Sequence, residues 1–378
     1  MMSSFERIRR LLKNEPVDRL PYSFWTHFPG IDLIPEQQAE VTYQFSKEFD
    51  VDFIKHMPNG LYMAEAWECK CNFNDIEQGG VAKVEKYAIQ HAEDWEKLKI
   101  IEPTYGSLGR ELEALDSLIK KVDGTKPIIC TIFSPLTMAQ KITEDIGFYL
   151  QYHPNELKKG LEIISATIIK FAKEALRRGC DGVFFANQMA TRKSITLEKY
   201  REFGVPFDLA VLHAIKNDSW FNVMHLHGEE VLFDEVKEYP VQAINWHLWD
   251  SDPSIERFLK ESDKVIIGGL KRAYITSGNI DSISQQIEQI CSQTRQSRII
   301  FSPDCVIRYP VVDEYIHQVK DKIIELSKKE EIISLPLAEA EKDHCLQSVG
   351  SSNYRTYETG QFQERAENNG ISLFKHIP

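Results

Sequence analysis

Eight short apolar runs, rich in β-branched and aromatic residues, recur along the chain, and each is followed by a stretch of helical periodicity. They are LPYSFWTH (ending at His27), VDFIKHMP (through His56), KPIICTIF (to Phe133), CDGVFFAN (to Asn187), WFNVMHLHG (through His225 and His227), VQAINWHL (through His247), KVIIGGLK (to Lys271) and RIIFSPDC (to Cys305). Runs of this length and composition, alternating with helices, suit parallel strands covered by helices. Eight such units predict an α/β fold, a (β/α)8 TIM barrel, in which catalytic groups gather where strands end and loops begin. At least four of the runs end in histidine, cysteine or both, so the chemistry is expected at that rim.

The intervening segments set the organisation. Residues 4–16 read as a lead-in helix closed by the turn at Pro16, Val17, Asp18 and Arg19, and IPEQQAEVTYQFSKEF as the first crossover helix. About 61–101, with WECKCNFN and VAKVEKYAIQ around Gly79 and Gly80, reads as an inserted β-hairpin or small excursion. Pro154 separates two helices within 145–178, a helix pair breaks near Pro206, and DPSIERFLKES is expected to start with Asp252 as cap and Pro253 as first helical residue. The barrel is expected to span 1–335. Residues 336–378, polar and rich in Ser, Asn, Gln and Glu, form a tail that cannot build a core.

Composition narrows the function classes. The net charge is -12, and Lys and Arg are scattered along helices, not gathered in a stripe, which argues against nucleic acid. No apolar run approaches the ~20 residues that cross a bilayer. MMSSFERIRRLLKN reads as an amphipathic helix, not a signal peptide. Seven irregularly spaced cysteines suit free thiols in a reducing compartment, so a cytoplasmic enzyme acting on a small molecule is expected.

His225 and His227 are two apart on one strand, so both imidazoles face the same side. With Cys305 from the last strand end they make two nitrogens and one thiolate, a set that zinc favours, with a fourth position open. A histidine taken alone in a strand is more often a packed residue than a ligand. His27, His56 and His247 end other strands and are candidate acids, bases or donors at the same mouth. Asn187 and Gln188 close the fourth strand, where amides could hold a carboxylate or carbonyl. Cys69 and Cys71 lack a second pair, which favours a structural role. Lys271 and Arg272 place positive charge at the end of the seventh strand, where an anionic substrate could be steered.

Several of these segments together resemble the uroporphyrinogen decarboxylase superfamily. FERIRRLLKNEPVDRLP is similar to its N-terminal signature, and Ser134, Pro135, Leu136 and Thr137 to its Ala-Pro-x-Thr turn. The stretch Gly179 to Val183 followed by LEKYREFGVPF, then Gly268, Gly269 and Leu270, and SPDCVIRYPV, resemble the later strand ends. The resemblance spans about 4–330 and independently implies the barrel.

The superfamily holds two chemistries. Decarboxylases use arginines after the first strand, an aspartate after the second and a tyrosine after the third. This chain has Trp25-Thr26-His27-Phe28-Pro29-Gly30 in the first loop, no carboxylate between Lys55 and Tyr62, and Lys141 at the tyrosine position. The other branch transfers a methyl group from a corrinoid to a thiol and binds zinc through His-x-Cys-Gly and a later cysteine. His225-Leu226-His227-Gly228 and Cys305 match it, with histidine for the middle cysteine. The resemblance therefore implies zinc on His225, His227 and Cys305, a pocket shaped by His27, His56, Asn187 and His247, a methylated corrinoid delivered by a separate corrinoid protein, and a homodimer. The alternative is a metal-free decarboxylase of uroporphyrinogen or another polycarboxylate.

Overall fold

The structure, a computed structural model, describes residues 2–74 and 82–327. The tip of the expected insertion (75–81), the tail at 336–378 and Cys345 lie outside the described residues. Strands are numbered β1 (Ile54–His56), β2 (Lys70–Asn72), β3 (Lys83–Lys86), β4 (Ile128–Phe133), β5 (Gly182–Asn187), β6 (Val223–Leu226), β7 (Ala243–Trp246), β8 (Val265–Leu270) and β9 (Ile299–Pro303). Seven form one parallel sheet in the order β1-β4-β5-β6-β7-β8-β9, and β2 and β3 pair antiparallel beside it. Among these seven every residue is buried, as a sheet lined on both faces requires.

The first expected strand departs from the sequence reading. Residues 21–26 make only isolated parallel bridges to the β9 side, Tyr22 with Phe301 and Thr26 with Ile307. Toward β1, side chains replace much of the ladder. The Tyr22 amide donates to Asp52 Oδ2 at 2.9 Å, and Ser23 Oγ donates to the Phe53 carbonyl at 2.7 Å. Pro21 has no N–H to offer. Asp52, 1% exposed, also accepts from Arg7 Nη1 at 2.6 Å and Arg19 Nη1 at 2.7 Å, while Arg7 Nε reaches Asp18 at 2.7 Å. The Val17-Asp18-Arg19 turn is thus part of a buried ionic knot that pins the first helix, Ser4–Leu12, and residues 21–26 to β1.

Helix starts follow local chemistry. Ser134, Asp145 and Thr196 each cap a helix by accepting an amide three residues on. The helix expected to start at Pro253 instead runs Ile255–Glu261, because Ser254 Oγ accepts from the Arg257 amide at 3.2 Å and takes the cap from Asp252. The break near Pro206 falls at Gly204, between helices Leu197–Phe203 and Val205–Ile215, where a Cβ would sit 2.4 Å from the Tyr200 ring. Among the described residues no helix is long and apolar enough to cross a membrane.

Candidate metal centre and active site

A cavity of about 240 Å³ opens at the carboxyl ends of the strands, with Trp25, Lys55, Phe184, His225, His227 and Cys305 in its wall. His225 is the third residue of β6, and His227 follows just beyond it, its amide donating to the Asn187 carbonyl at 3.1 Å. The two-residue period carries both rings to one side, with centroids 5.8 Å apart. Cys305 arrives from beyond β9, where the preceding amide, that of Asp304, bonds the Leu270 carbonyl at 2.9 Å. Its Sγ lies 3.7 Å from His227 Nδ1, and one ligand atom from each of the three residues lies within 4.8 Å of the others. Ligands on a tetrahedral zinc, at ~2.0–2.3 Å from the ion, are roughly 3.3–3.6 Å apart, so modest contraction would close the set.

Orientation is built in behind this cluster. His225 and Asn245 are register partners on β6 and β7, and His225 Nδ1 meets Asn245 Oδ1 at 2.5 Å. Asn245 Nδ2 donates to the Ile267 carbonyl at 2.7 Å and is 3.3 Å from that of Pro303, which leaves Oδ1 as the atom facing the imidazole. His225 must therefore carry its proton on Nδ1, and the lone pair of Nε2 is free for an ion. Burial pushes His225 well below the ordinary imidazole range, and His227 down to about 4 by burial and the neighbouring His247. Both rings are neutral at pH 7, the form that ligates. Burial raises the Cys305 thiol, while Arg272 and Lys55 oppose that shift. A thiol in this position gives up its proton when a cation binds.

The other expected residues divide. His27 lines the cavity, with Nδ1 4.0 Å from the buried Asp32 carboxylate. His247 stands behind the cluster, its ring 5.2 Å from that of His227 and its Nδ1 3.7 Å from Asp304 Oδ2. With Asp250 these two make a second grouping of possible ligands, although Lys271 Nζ already holds Asp250 at 2.5 Å. His56 is not brought to the cavity. Strand alternation turns Lys55 inward and His56 toward helix Gly106–Val122, where its Nε2 is 3.7 Å from Glu111. Asn187 also lies off the wall: its Nδ2 donates to Tyr200 and Asp208 at 2.9 and 2.8 Å, and its Oδ1 accepts from Met189 and Ala190 amides. Gln188 faces the cavity instead. Sequence reasoning missed Asn245 and Lys55. Each is a polar residue inside an apolar strand, and that mismatch was the available signal.

Residues 3–322 match the family model described as uroporphyrinogen decarboxylase (URO-D). The chain belongs to the uroporphyrinogen decarboxylase family. Within it the curated relatives are methyltransferases. The methylcobamide:CoM methyltransferase MtbA of Methanosarcina acetivorans is 25% identical over 237 residues, 59% of this chain and 69% of its own. Its counterpart from Methanosarcina mazei is 25% identical over 248 residues, with the same coverages. A methyltransferase structure from Methanosarcina mazei superposes with a TM-score of 0.75 at 16% identity, covering 86% of this chain and 99% of that one. A B12-independent methionine synthase from a Shewanella species gives 0.52 at 13%, covering 82% and 93%. The two structures speak for the fold, and the sequence relatives place this family member on the methyltransferase side, as an enzyme of methyltransferase-like kind.

Proposed function

We propose that this enzyme, a closed (β/α)8 barrel completed by residues 21–26 and working in the cytoplasm, transfers a methyl group from a methylated corrinoid on a separate protein to a small thiol or similar nucleophile. His225, His227 and Cys305 would hold zinc. The observation that carries this reading is the convergence of their ligand atoms, with His225 oriented by Asn245. When bound, zinc supplies Lewis-acid stabilisation of the acceptor as an anion at neutral pH. The chain's own residues present the two neutral imidazoles and the thiol, keep one coordination position toward the cavity, and use Trp25 and Phe184 to limit water around it. Replacing a thiolate by His227 leaves the site with less negative charge, so the ion is a stronger acid and the acceptor need not be the one that relatives use.

The test is elemental analysis of the wild type and of Cys305→Ser, followed by methyl transfer from methylcobalamin to small thiols. Stoichiometric zinc that the substitution removes, together with loss of transfer, is expected. A metal-free preparation that converts uroporphyrinogen to coproporphyrinogen would overturn the reading.

A further inference from the structure

Asp32 is 1% exposed, and its Oδ2 has no hydrogen-bond partner among the described residues. A buried polar atom without a partner costs free energy, so its retention points to a use. A tight reversal brings Asp32 back under His27: Gly30 takes a φ of +75°, and the Asp32 amide donates to the Phe28 carbonyl at 2.9 Å. Oδ2 thereby comes 4.0 Å from Nδ1 of His27. That is longer than a hydrogen bond, and catalytic bonds of unliganded enzymes commonly tighten when substrate arrives.

His27 lines the cavity, its side chain 26% exposed. Thr26 bridges Ile307 in parallel and its Oγ1 donates to the Ile307 carbonyl at 3.0 Å, so the His27 backbone runs beside the segment that carries Cys305. The cations of the wall are Lys55, Lys141, Arg272 and Arg308, and no Asp or Glu is among the described residues that line it. Asp32, behind the wall, is the carboxylate that His27 meets. Glu111, Arg110 and Glu65 face Asp32 in turn, with His56 Nε2 3.7 Å from Glu111. Burial, reinforced by Lys55, Arg308 and Lys141, draws His27 down to about 3, while burial and Glu111 lift Asp32 to about 7. A proton entering at the ring therefore comes to rest on the carboxylate.

We infer that His27 and Asp32 form a relay dyad that removes the proton of the acceptor thiol, with His27 as the catalytic base in the cavity and Asp32 as the positioning residue behind it. This rests on the acceptor reading above. With Nδ1–H directed at Asp32, Nε2 carries the free lone pair. The S–H bond breaks, its electron pair stays on sulfur, and the proton goes to Nε2 while the Nδ1 proton moves to Oδ2 of Asp32. Reset runs through the partly exposed ring: Nε2 gives its proton to water and Asp32 returns one to Nδ1. No oxidant or further reactant is needed.

The first measurement uses neither metal nor methyl donor. Nitrogen-15 spectra of the histidine-labelled full chain read the tautomer of His27, assigned by the signal lost in His27→Gln. At pH 8 the wild-type ring is expected to be neutral with its proton on Nδ1, and Asp32→Leu to shift that proton to Nε2. The same tautomer in both proteins overturns the dyad. The second measurement is methyl transfer from methylcobalamin to 2-mercaptoethanol by zinc-loaded protein. Wild-type kcat should fall as pH drops below about 7, where Asp32 takes up a proton. Asp32→Asn should lower kcat at pH 8 about a hundredfold, leave KM for the thiol within twofold and lose that acid limb. His27→Gln, at a partly exposed position, should lose kcat alike and keeps the test open if Asp32→Asn fails to fold. Folded variants with wild-type kcat and acid limb, or with their whole loss in KM, overturn the dyad and leave methyl transfer standing. A wild type that transfers no methyl group sinks the function proposed above and the dyad's role with it.

Discussion

The imidazole of His225 is tied through Nδ1 to Oδ1 of Asn245 at 2.5 Å, and Asn245 is itself held by the backbone of β8 through the Ile267 carbonyl. This bond determines which nitrogen of His225 faces the cavity. Loss of such a partner typically weakens metal binding by about 10–100-fold. Asn245→Ala is expected to fall in that range when zinc is titrated against a chromophoric chelator. Unchanged affinity in a folded variant would show that the ring keeps its orientation without the amide.

Asp52 joins three pieces of chain, through Arg7, Arg19 and the Tyr22 amide. Removing it leaves the guanidinium of Arg7, 3% exposed, facing the remaining pair with Asp18 alone. Breaking a buried pair from one side costs about 3–5 kcal/mol. Asp52→Ala should lower the urea midpoint accordingly, and Asp18→Ala, at a position 28% exposed, should lower it less. Equal losses would place the stabilisation outside Asp52.

Asp208 is wholly buried among Tyr200, Tyr239 and Asn187, and burial raises its carboxyl to about 7 from the ordinary 3.8. Between pH 4 and 7 the folded state keeps a proton that the unfolded chain has released. The contribution of Asp208 to stability therefore falls as pH rises through that window and is least above it. The buried imidazoles of His225 and His227 act in the opposite sense, because only the unfolded chain protonates them near pH 6. Denaturation of wild type and Asp208→Asn from pH 5 to pH 8 isolates the carboxyl: the wild type should lose stability relative to the variant as pH rises. A difference independent of pH would refute the assignment.

Gly182 opens β5 where the backbone of Phe221 passes close by. A Cβ there would lie 2.0 Å from the Phe221 carbonyl oxygen, and backbone cannot swing aside as a side chain can. Gly182→Ala is expected to cost at least the ~1–3 kcal/mol of an overpacked core. A melting temperature equal to that of the wild type would contradict the close approach.

The order of strands and helices was legible because each run carries its own periodicity and its own cap, as Ser134 and Thr196 show. The His225 and His227 pairing was legible too, since alternation along a strand is a local rule. The same rule, applied without knowing which face is inside, placed His56 at the mouth, although its neighbour Lys55 takes the inward direction. Asn187 was misplaced for a related reason: a strand-end amide is equally able to bind a ligand or to close a buried network, and Tyr200 and Asp208 claim it here.

By itself, then, the sequence determined the alternation of elements, the face shared by two imidazoles and the family to which the chain belongs. These are properties of neighbouring residues or of ordered motifs. Only the tertiary structure decided that Cys305 meets His227, that Asn245 orients His225, that residues 21–26 form bridges instead of a ladder strand, and that two lysines share a wall without a described acid. Each joins residues far apart in the chain, and only packing decides whether their side chains meet.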